Sequence, residues 1–194
     1  MPPPIRLTGR VMEYKDRKYP RLKEYNYSFP GYYYVTIHNE RNAPLLSRIE
    51  PGDMYHRAYV NLTEIGVIAI EELLLLEKRY TYLLIDKYVI MPTHIHAIFR
   101  LTAGMLPRPG LTDVVGAYKS LATRAINAAR NTPGRKQFQR SFYETVIRDE
   151  TAYRSCWKYI DENPDRWWKE QEDFEWDCRI ADENGEKNHQ QRSR

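Results

Sequence analysis

Two of the five histidines in this chain, His94 and His96, stand two residues apart inside an apolar run that extends from Tyr88 to Phe99. Alternate residues of a β-strand point to the same face of the sheet. A strand here would therefore hold both imidazoles side by side, with Ile95 on the opposite face. Neighbouring imidazoles in an apolar setting suit one divalent metal ion. The same pattern also fits one exposed histidine beside one hydrogen-bonded core histidine, and the pair by itself does not separate these two interpretations.

Most classes of histidine-metal site require partners that this sequence lacks. A histidine-triad nucleotide hydrolase needs a third alternating histidine, but position 98 is isoleucine. A cupin needs a later strand with histidine, and only His189 follows, in a polar stretch. A two-histidine phosphoesterase needs a second His-x-Thr/Ser copy, and a zincin places its pair four apart on a helix. What remains is a site whose two histidines are completed by carboxylate, amide, substrate or water.

Tyr159 and Asn163 are candidates to complete such a site. They lie four residues apart in a predicted helix and therefore share one helical face. Asn163 offers a carbonyl oxygen as a third ligand, and Tyr159 offers a phenol that could be held beside the metal. Because the pKa of a phenol is about 10, it needs a cation or base nearby to act as a nucleophile at neutral pH. With 16 tyrosines in the chain, Tyr159 is also open to interpretation as a packing residue, and Asn163 as a helix end before Pro164.

The rest of the sequence predicts the elements that must position these residues. Runs of β-branched and aromatic residues predict strands, and amphipathic stretches bounded by polar caps and by Pro or Gly predict helices. In chain order we predict a strand over 31–38, a hairpin or excursion over 45–62 and a helix from Thr63 to Arg79. Strands over 81–90 and 94–102 follow, then a loop over 103–110 and a helix from Thr112 or Asp113 to Arg130. The last predicted elements are a strand over 142–148 and a helix over 150–162, which is capped by Asp149 and ended by Asn163 and Pro164.

This order predicts an α+β fold, namely a ferredoxin-like split βαβ sandwich in which two helices cover one face of a central antiparallel sheet. The histidine pair falls on an inner strand of that sheet. The C-terminal helix that carries Tyr159 is an addition to the core, and the tail after about residue 182 is expected to be frayed.

Charge is distributed unevenly, although the formal net charge is only +4. Residues 1–30 hold seven Lys and Arg against three Asp and Glu, and residues 116–148 hold seven against Glu144 alone. Residues 161–186 hold eleven acidic residues against three basic ones. Two basic segments in a tyrosine-rich chain favour a polyanionic partner such as nucleic acid, although solvated helix faces and an acidic tail would give the same composition.

Bulk properties exclude several other classes of protein. No apolar stretch approaches the roughly 20 residues of a membrane span, and the N-terminal segment lacks the apolar core of a signal peptide. The two cysteines, Cys156 and Cys178, have a spacing that suits neither a zinc site nor a disulfide framework. These features predict a cytoplasmic protein with reduced thiols and no membrane partner.

The chain resembles a known family of nucleic-acid enzymes. The run Val89–Phe99 is similar to the histidine strand of the HUH single-strand transposases, and the whole pattern is most similar to REP-associated tyrosine transposases. The resemblance covers roughly residues 20–170. Besides the histidine strand, it rests on four blocks in the same order: Gly31–Ile37, Val115–Asn127, Phe138–Glu150 and Tyr159–Pro164.

This resemblance implies a role for each candidate residue. His94, His96 and Asn163 would bind a divalent metal, Mg²⁺ or Mn²⁺, and Tyr159 would be the catalytic nucleophile. Tyr143 and Tyr153 are rivals for that role, but neither stands four residues before the Asn-Pro pair. One departure from the family pattern is Thr93, which replaces the common Asn before the first histidine in a small polar exchange that should preserve the metal site.

The activity that the resemblance implies is metal-dependent cleavage and rejoining of single-stranded DNA at or near hairpin sequences, through a covalent 5′-phosphotyrosine. The partner would be single-stranded or hairpin DNA, bound by a monomer or a homodimer. Two alternatives stay open: a domesticated nucleic-acid-binding protein of the same fold without catalysis, and a metal-dependent RNA-processing nuclease.

The predicted organisation is a basic and aromatic arm over 1–30, a transposase-like catalytic domain over 31–170 and an acidic, polar tail over 171–194. Six cations of the second basic segment, residues 116–148, are candidate phosphate contacts. Arg148, at the end of that segment, could instead pair with its neighbour Asp149. These cations are Lys119, Arg124, Arg135, Lys136, Arg140 and Arg148.

Overall fold

The structure is a computed structural model that describes residues 25–53 and 57–192, with side chains as far as Gln171. Its elements follow the predicted order. In chain order they are β1 (Gly31–His38), a 3₁₀ turn (Glu40–Asn42), β2 (Ser47–Glu50), β3 (Tyr59–Leu62), α1 (Glu64–Arg79), β4 (Leu83–Ile90), β5 (His94–Leu101), α2 (Leu111–Ala129), β6 (Tyr143–Ile147) and α3 (Glu150–Arg192).

The central sheet has four strands in the order β4-β5-β1-β6, and each neighbouring pair is antiparallel. Since β1 and β4 flank α1 in sequence while β5 lies between them in space, this is the split βαβ arrangement predicted from the sequence. The predicted α+β class is confirmed. β5 is an inner strand, where His94 lies opposite His38 and His96 lies opposite Thr36 on β1. β2 and β3 form a separate two-stranded hairpin.

Strand alternation separates the two faces of the sheet. On β5, Ile95, Ala97 and Phe99 are fully buried in the main core against α1 and α2. The intervening residues of β5 face the other way, where Ile98 packs with Ile147 and with Ile160 of α3. The sheet therefore has two helices on one face and a third helix on the other, and the histidines lie on the face that receives α3.

α2 begins at Leu111, one residue before the earlier of the two predicted starts, Thr112 and Asp113. The cap is Gly110, whose backbone N–H donates to the Asp113 carboxylate at 2.9 Å. Asp113 thus sits in the first turn, where an acidic side chain is favoured by the helix dipole, and does not cap the helix itself.

The prediction that Asn163 and Pro164 end the last helix is wrong, because α3 continues through Pro164 to Arg192. The predicted frayed end after residue 182 is likewise helical backbone in the structure. Proline removes one helical N–H donor and usually kinks or ends a helix. Here Asn163, Pro164 and Ile160 are buried against the rest of the fold, so packing on both sides of the proline offsets the lost hydrogen bond.

The predicted N-terminal arm extends to residue 30, and its residues 1–24 lie outside the described part of the chain. Tyr25 and Tyr27 already pack against the main core. The Tyr25 hydroxyl lies 3.3 Å from that of Tyr33, and the Tyr27 carbonyl accepts the Leu111 N–H at 2.9 Å. The end of the predicted arm is therefore part of the folded domain. Among the described helices, none is long and apolar enough to cross a membrane.

α1 makes a close approach to the loop that leads into β2. Its cap is Thr63, whose side chain accepts the Gly66 N–H at 3.1 Å and donates to the Leu45 carbonyl at 2.6 Å. A Cβ on Gly66 would overlap the backbone carbonyl of Leu46. The Leu46 N–H donates in turn to the carbonyl of Pro92, two residues before β5. The contact at Gly66 therefore also positions the segment that leads into the histidine strand.

Gly66 in α1 and Gly116 in α2 give a matched test of that approach. We expect Gly66→Ala to lower the free energy of unfolding by about 2 kcal/mol or more, because the backbone of Leu46 must move. Gly116→Ala in α2 meets nothing within 4 Å, and we expect it to raise stability by about 0.5–1 kcal/mol through helix propensity and unfolded-state entropy. Urea unfolding measures both, and equal effects would contradict the close approach.

Candidate active site

The two histidines of the predicted pair are neighbours in a largely buried setting. Their ring centres are 4.5 Å apart, His96 is 5% exposed and His94 is half-buried. Nδ1 of His96 lies 2.7 Å from the Tyr34 hydroxyl and 2.9 Å from that of Thr36, and Nδ1 of His94 lies 2.9 Å from the Thr93 hydroxyl. Since Nδ1 of each ring faces a hydroxyl, Nε2 is the nitrogen that each ring can offer to a metal.

Burial keeps both imidazoles neutral. It lowers the pKa of His94 to about 4, with the charge of His38 as a second cause. It lowers the pKa of His96 to about 2, and His94 and His38 act in the same direction. At neutral pH both rings are therefore unprotonated, which is the form that binds metals.

α3 lies over this pair in the same chain. The Tyr159 ring centre is 5.4 Å from that of His96, and the Trp167 ring centre is 6.2 Å from that of His94. Asn163 lies midway between these two aromatic residues, at four residues from each, so all three share one helical stripe. Asn163 is 6% exposed, whereas Tyr159 is 39% exposed. The helix thus brings the predicted amide and the predicted phenol to the histidine face.

A group of ion pairs holds this part of α3 against the sheet and the hairpin. Asp161 accepts from Lys87 Nζ on β4 at 2.8 Å and from Arg57 Nη1, just before β3, at 2.7 Å. Asp165 also pairs with Arg57, and it accepts the Ala58 N–H at 2.8 Å. These contacts flank the stripe of Tyr159 and Asn163 and fix its position along the sheet.

The donor set fits a divalent metal with two imidazoles and one amide oxygen. Within the described residues, no group of three or more His, Cys, Asp or Glu side chains could hold a metal ion. Asn163 lies on the helical face whose neighbours Tyr159 and Trp167 contact the histidines. From there it would supply an amide oxygen, and water or substrate oxygens would take the remaining positions.

Three residues around the pair were missed by the sequence reasoning. His38 lies opposite His94 on β1, with ring centres 5.2 Å apart, and its Nδ1 lies 3.1 Å from the Asn42 amide oxygen. Tyr34 stacks on His96, with ring centres 5.4 Å apart, and burial raises its pKa. Trp167 is the third. Cross-strand register and helix docking reveal all three, and the alternation of Tyr34, Thr36 and His38 on the first strand is the sequence signal that could have found two of them.

Among the described ring contacts, neither rival tyrosine touches His94 or His96. Tyr153 contacts Tyr32 and Trp157, and its hydroxyl donates to Asp86 at 3.1 Å. Burial, with Asp86 as the next cause, raises its pKa to about 12, which disfavours the phenolate. Tyr143 lies 5.9 Å from His38. Of the three tyrosines, Tyr159 is the one whose ring contacts His96 among the described contacts.

The structure brings five of the six predicted phosphate-binding cations together. They line two adjoining cavities of about 810 and 420 Å³, beside Glu40 and Arg41 of the 3₁₀ turn. Arg148 lies apart, in a cavity that also holds Arg100 and the carboxylates of Asp86, Asp149 and Glu150. Those three carboxylates make Arg148 a poor phosphate ligand. The five grouped cations are Lys119, Arg124, Arg135, Lys136 and Arg140.

Comparison with known proteins finds a similar protein of Haemophilus influenzae but no matching family model. No family model matches the chain. An uncharacterised protein of Haemophilus influenzae is 28% identical over 171 residues, which is 80% of this chain and 92% of that protein.

Two solved structures are similar to this one. The first is a REP-associated tyrosine transposase bound to a REP hairpin, with 19% identity, a TM-score of 0.46 and coverage of 72% of this chain and 70% of that chain. The second is a protein of Deinococcus radiodurans R1 assigned provisionally as a transposase, with 16% identity, a TM-score of 0.42 and coverage of 72% and 95%. At these scores neither likeness transfers a substrate or a catalytic residue.

The ion pairs of α3 give a prediction about pH. Hydrogen bonds from Lys87 and then Arg57 lower the pKa of Asp161, so its carboxylate stabilises the fold above the unfolded pKa of about 3.9 and loses that effect as pH falls through the folded pKa. We expect Asp161→Asn to lower the free energy of unfolding by up to about 1 kcal/mol at pH 7, because the carboxylate is partly exposed. The difference from wild type should begin to shrink below about pH 4 and should be lost as pH falls through the lowered folded pKa.

Glu150→Gln is the matched control, because it breaks an exposed pair with Arg154 within α3 itself. Urea unfolding between pH 3 and pH 8 measures both variants. A destabilisation by Asp161→Asn that persists unchanged at the acid end would mean that the charge of Asp161 does not hold the helix.

Proposed function

We propose that this chain is a metal-dependent single-strand DNA endonuclease and strand transferase. It cleaves DNA at or near hairpin sequences through a covalent 5′-phosphotyrosine on Tyr159. One contact supports this activity above all: α3 lays a partly exposed phenol 5.4 Å from the buried His96 ring, with the buried amide of Asn163 one helical turn further on. Packing alone would not require this tyrosine to lie against a histidine of the pair.

His94, His96 and Asn163 would hold Mg²⁺ or Mn²⁺. Bound there, the ion would polarise the scissile phosphate and stabilise the charge that develops on it. The hydroxyls of Thr93, Tyr34 and Thr36 orient the two imidazoles by facing Nδ1. Such outer contacts fix the ring orientation and the tautomer, so the site is organised before substrate binds.

Tyr159 supplies the nucleophile. Its phenol oxygen forms a bond to phosphorus while the bond from phosphorus to the 3′ oxygen breaks, and the phenol proton ends on the leaving 3′-OH. The Arg166 guanidinium lies over the ring, 5.1 Å from its centre, and this cation–π contact helps to hold the ring in place. Attack by a 3′-OH on the phosphotyrosine reverses these bond changes, so strands can be rejoined without external energy.

DNA is the partner that the surface charge supports. Five cations beside the active site can neutralise phosphates. The substrate would be a hairpin with a single-stranded flank, because the nucleophile must reach a phosphate whose bases are unpaired. The REP hairpin in one of the similar structures agrees with this substrate but belongs to that protein.

The nucleophile is tested by a denaturing gel. We expect wild-type protein, incubated with Mn²⁺ and a labelled hairpin oligonucleotide with single-stranded flanks, to give a covalent protein-DNA adduct. Tyr159→Phe should lower the adduct yield by a factor of about 10³ or more, because it removes the hydroxyl of the ring that lies on His96. Tyr153→Phe and Tyr143→Phe remove the same atom elsewhere and should keep the adduct.

An adduct that persists in Tyr159→Phe would move the nucleophile to another residue. Free cleavage products without any adduct would favour a metal-dependent nuclease that uses water, and RNA hairpins should then be tried. Binding without cleavage would favour the non-catalytic alternative.

The metal ligands are tested by Mn²⁺ titration followed by calorimetry, without DNA. We expect His94→Ala and His96→Ala to abolish binding and Asn163→Ala to weaken it about tenfold or more, because each removes a donor from a small set. His189→Ala, far along the sequence, is the control and should bind as wild type. Retained binding in His96→Ala would show that the pair is structural.

A further inference from the structure

We infer that the basic groove beside the histidine pair binds the single-stranded DNA that flanks the scissile phosphate, an assignment that rests on the function proposed above. The basic groove is the cavity of about 810 Å³ between α2 and the segment 136–141. Five cationic side chains line it against one carboxylate, that of Glu40. The cations are Arg41, Lys119, Arg124, Lys136 and Arg140.

The wall of the basic groove is joined directly to the histidine site. Phe138 bridges to Asn39 at the end of β1, and the Gln139 N–H donates to the His38 carbonyl at 3.0 Å. The Gln139 side chain also donates to the Asn42 amide oxygen at 3.0 Å, and that same oxygen lies 3.1 Å from His38 Nδ1. The His38 ring is in turn 5.2 Å from that of His94. One residue therefore separates the groove wall from the proposed metal ligands.

Most of the cations in the groove are available to a ligand. Arg41, Arg124, Lys136 and Arg140 are exposed. Lys119 already donates to the carbonyls of Gln139 and Arg140, at 3.0 and 2.7 Å, and it contributes positive charge while it holds the wall in place. This concentration of charge in a concave surface is what neutralises a phosphate backbone.

The 3₁₀ turn at the groove is held in a costly backbone conformation. Arg41 and Asn42 both have positive φ, 56° and 51°. Asn tolerates this region, but an arginine there is uncommon, and such residues cluster at functional sites. The turn directs Arg41 into both basic cavities, which gives a reason for a cation at a position that glycine would occupy with less strain.

A single strand fits this path better than a duplex. Tyr143, two residues after the groove segment, is 37% exposed and lies 5.9 Å from His38. An exposed aromatic ring between the groove and the histidines can stack on an unpaired base, whereas paired bases are not available for stacking. We therefore place unpaired nucleotides over Tyr143 and their phosphates among the cations of the groove.

Two variants test the groove by fluorescence anisotropy in the Tyr159→Phe background, which prevents cleavage. The probes are a DNA hairpin with a single-stranded tail and the same hairpin with a blunt end. We expect Arg124→Ala with Lys136→Ala to weaken binding of the tailed hairpin about tenfold or more. The slope of log K against log salt should fall by about 0.7 for each phosphate that the variant no longer neutralises. Binding of the blunt hairpin should change less than twofold.

Arg41→Gly separates binding from folding, since glycine relieves the positive φ. We expect its melting temperature to be equal to or above that of wild type, with a threefold or greater loss of affinity for the tailed hairpin. The control is Lys78→Ala with Arg79→Ala, which removes two exposed cations at the end of α1 and should leave both affinities unchanged.

Equal losses for tailed and blunt hairpins would assign the groove to the duplex stem and overturn the inference. Unchanged affinities in the groove variants would overturn it as well. The outcome is independent of the adduct experiment. If wild-type protein forms the adduct and the groove variants bind DNA normally, only the assignment of the groove is refuted. Tail-specific losses with no adduct in wild type refute only the catalytic proposal.

Discussion

The docking of α3 on the outer face of the sheet is the contact on which the candidate site depends. Ile160 is buried against Ile98 and Ile147, and burying one such side chain contributes roughly 1.5–3 kcal/mol. Asp161 and Asp165, which follow it in the helix, pair with Arg57 and Lys87. Apolar burial supplies the attraction, and the ion pairs fix where along the sheet the helix lies. Both are needed to place a phenol and an amide over two histidines.

One strand serves the core and the site at once. The inward residues of β5 form the centre of the main core, whereas the outward residues include His94, His96 and Ile98. A largely buried strand that is paired on both sides gives the histidines little freedom to move, which suits a metal site that must be organised before substrate arrives. The same alternation on β1 delivers Tyr34, Thr36 and His38 to the same face, where they contact the histidines.

Much of this could be read from sequence, because the signals were local. The two-residue period of His94 and His96 specified a shared face, and the four-residue spacing of Tyr159 and Asn163 specified a shared stripe. Thr63 and Pro164 show that predictions from local sequence signals can be right or wrong. Thr63 does cap α1, whereas Pro164 does not end α3, because burial on both sides of it outweighs one missing hydrogen bond.

The sequence by itself determined the element order, the sheet class and the four residues offered for the chemistry. Only the tertiary structure decided that the two pairs meet within one chain, that His38, Tyr34 and Trp167 surround them, and that five of six cations gather beside the site while Arg148 does not. The physical reason is the range of the interactions. Periodicity and capping act over a few residues, whereas the site is assembled by packing between strand and helix positions more than sixty residues apart along the chain, and no local pattern encodes that contact.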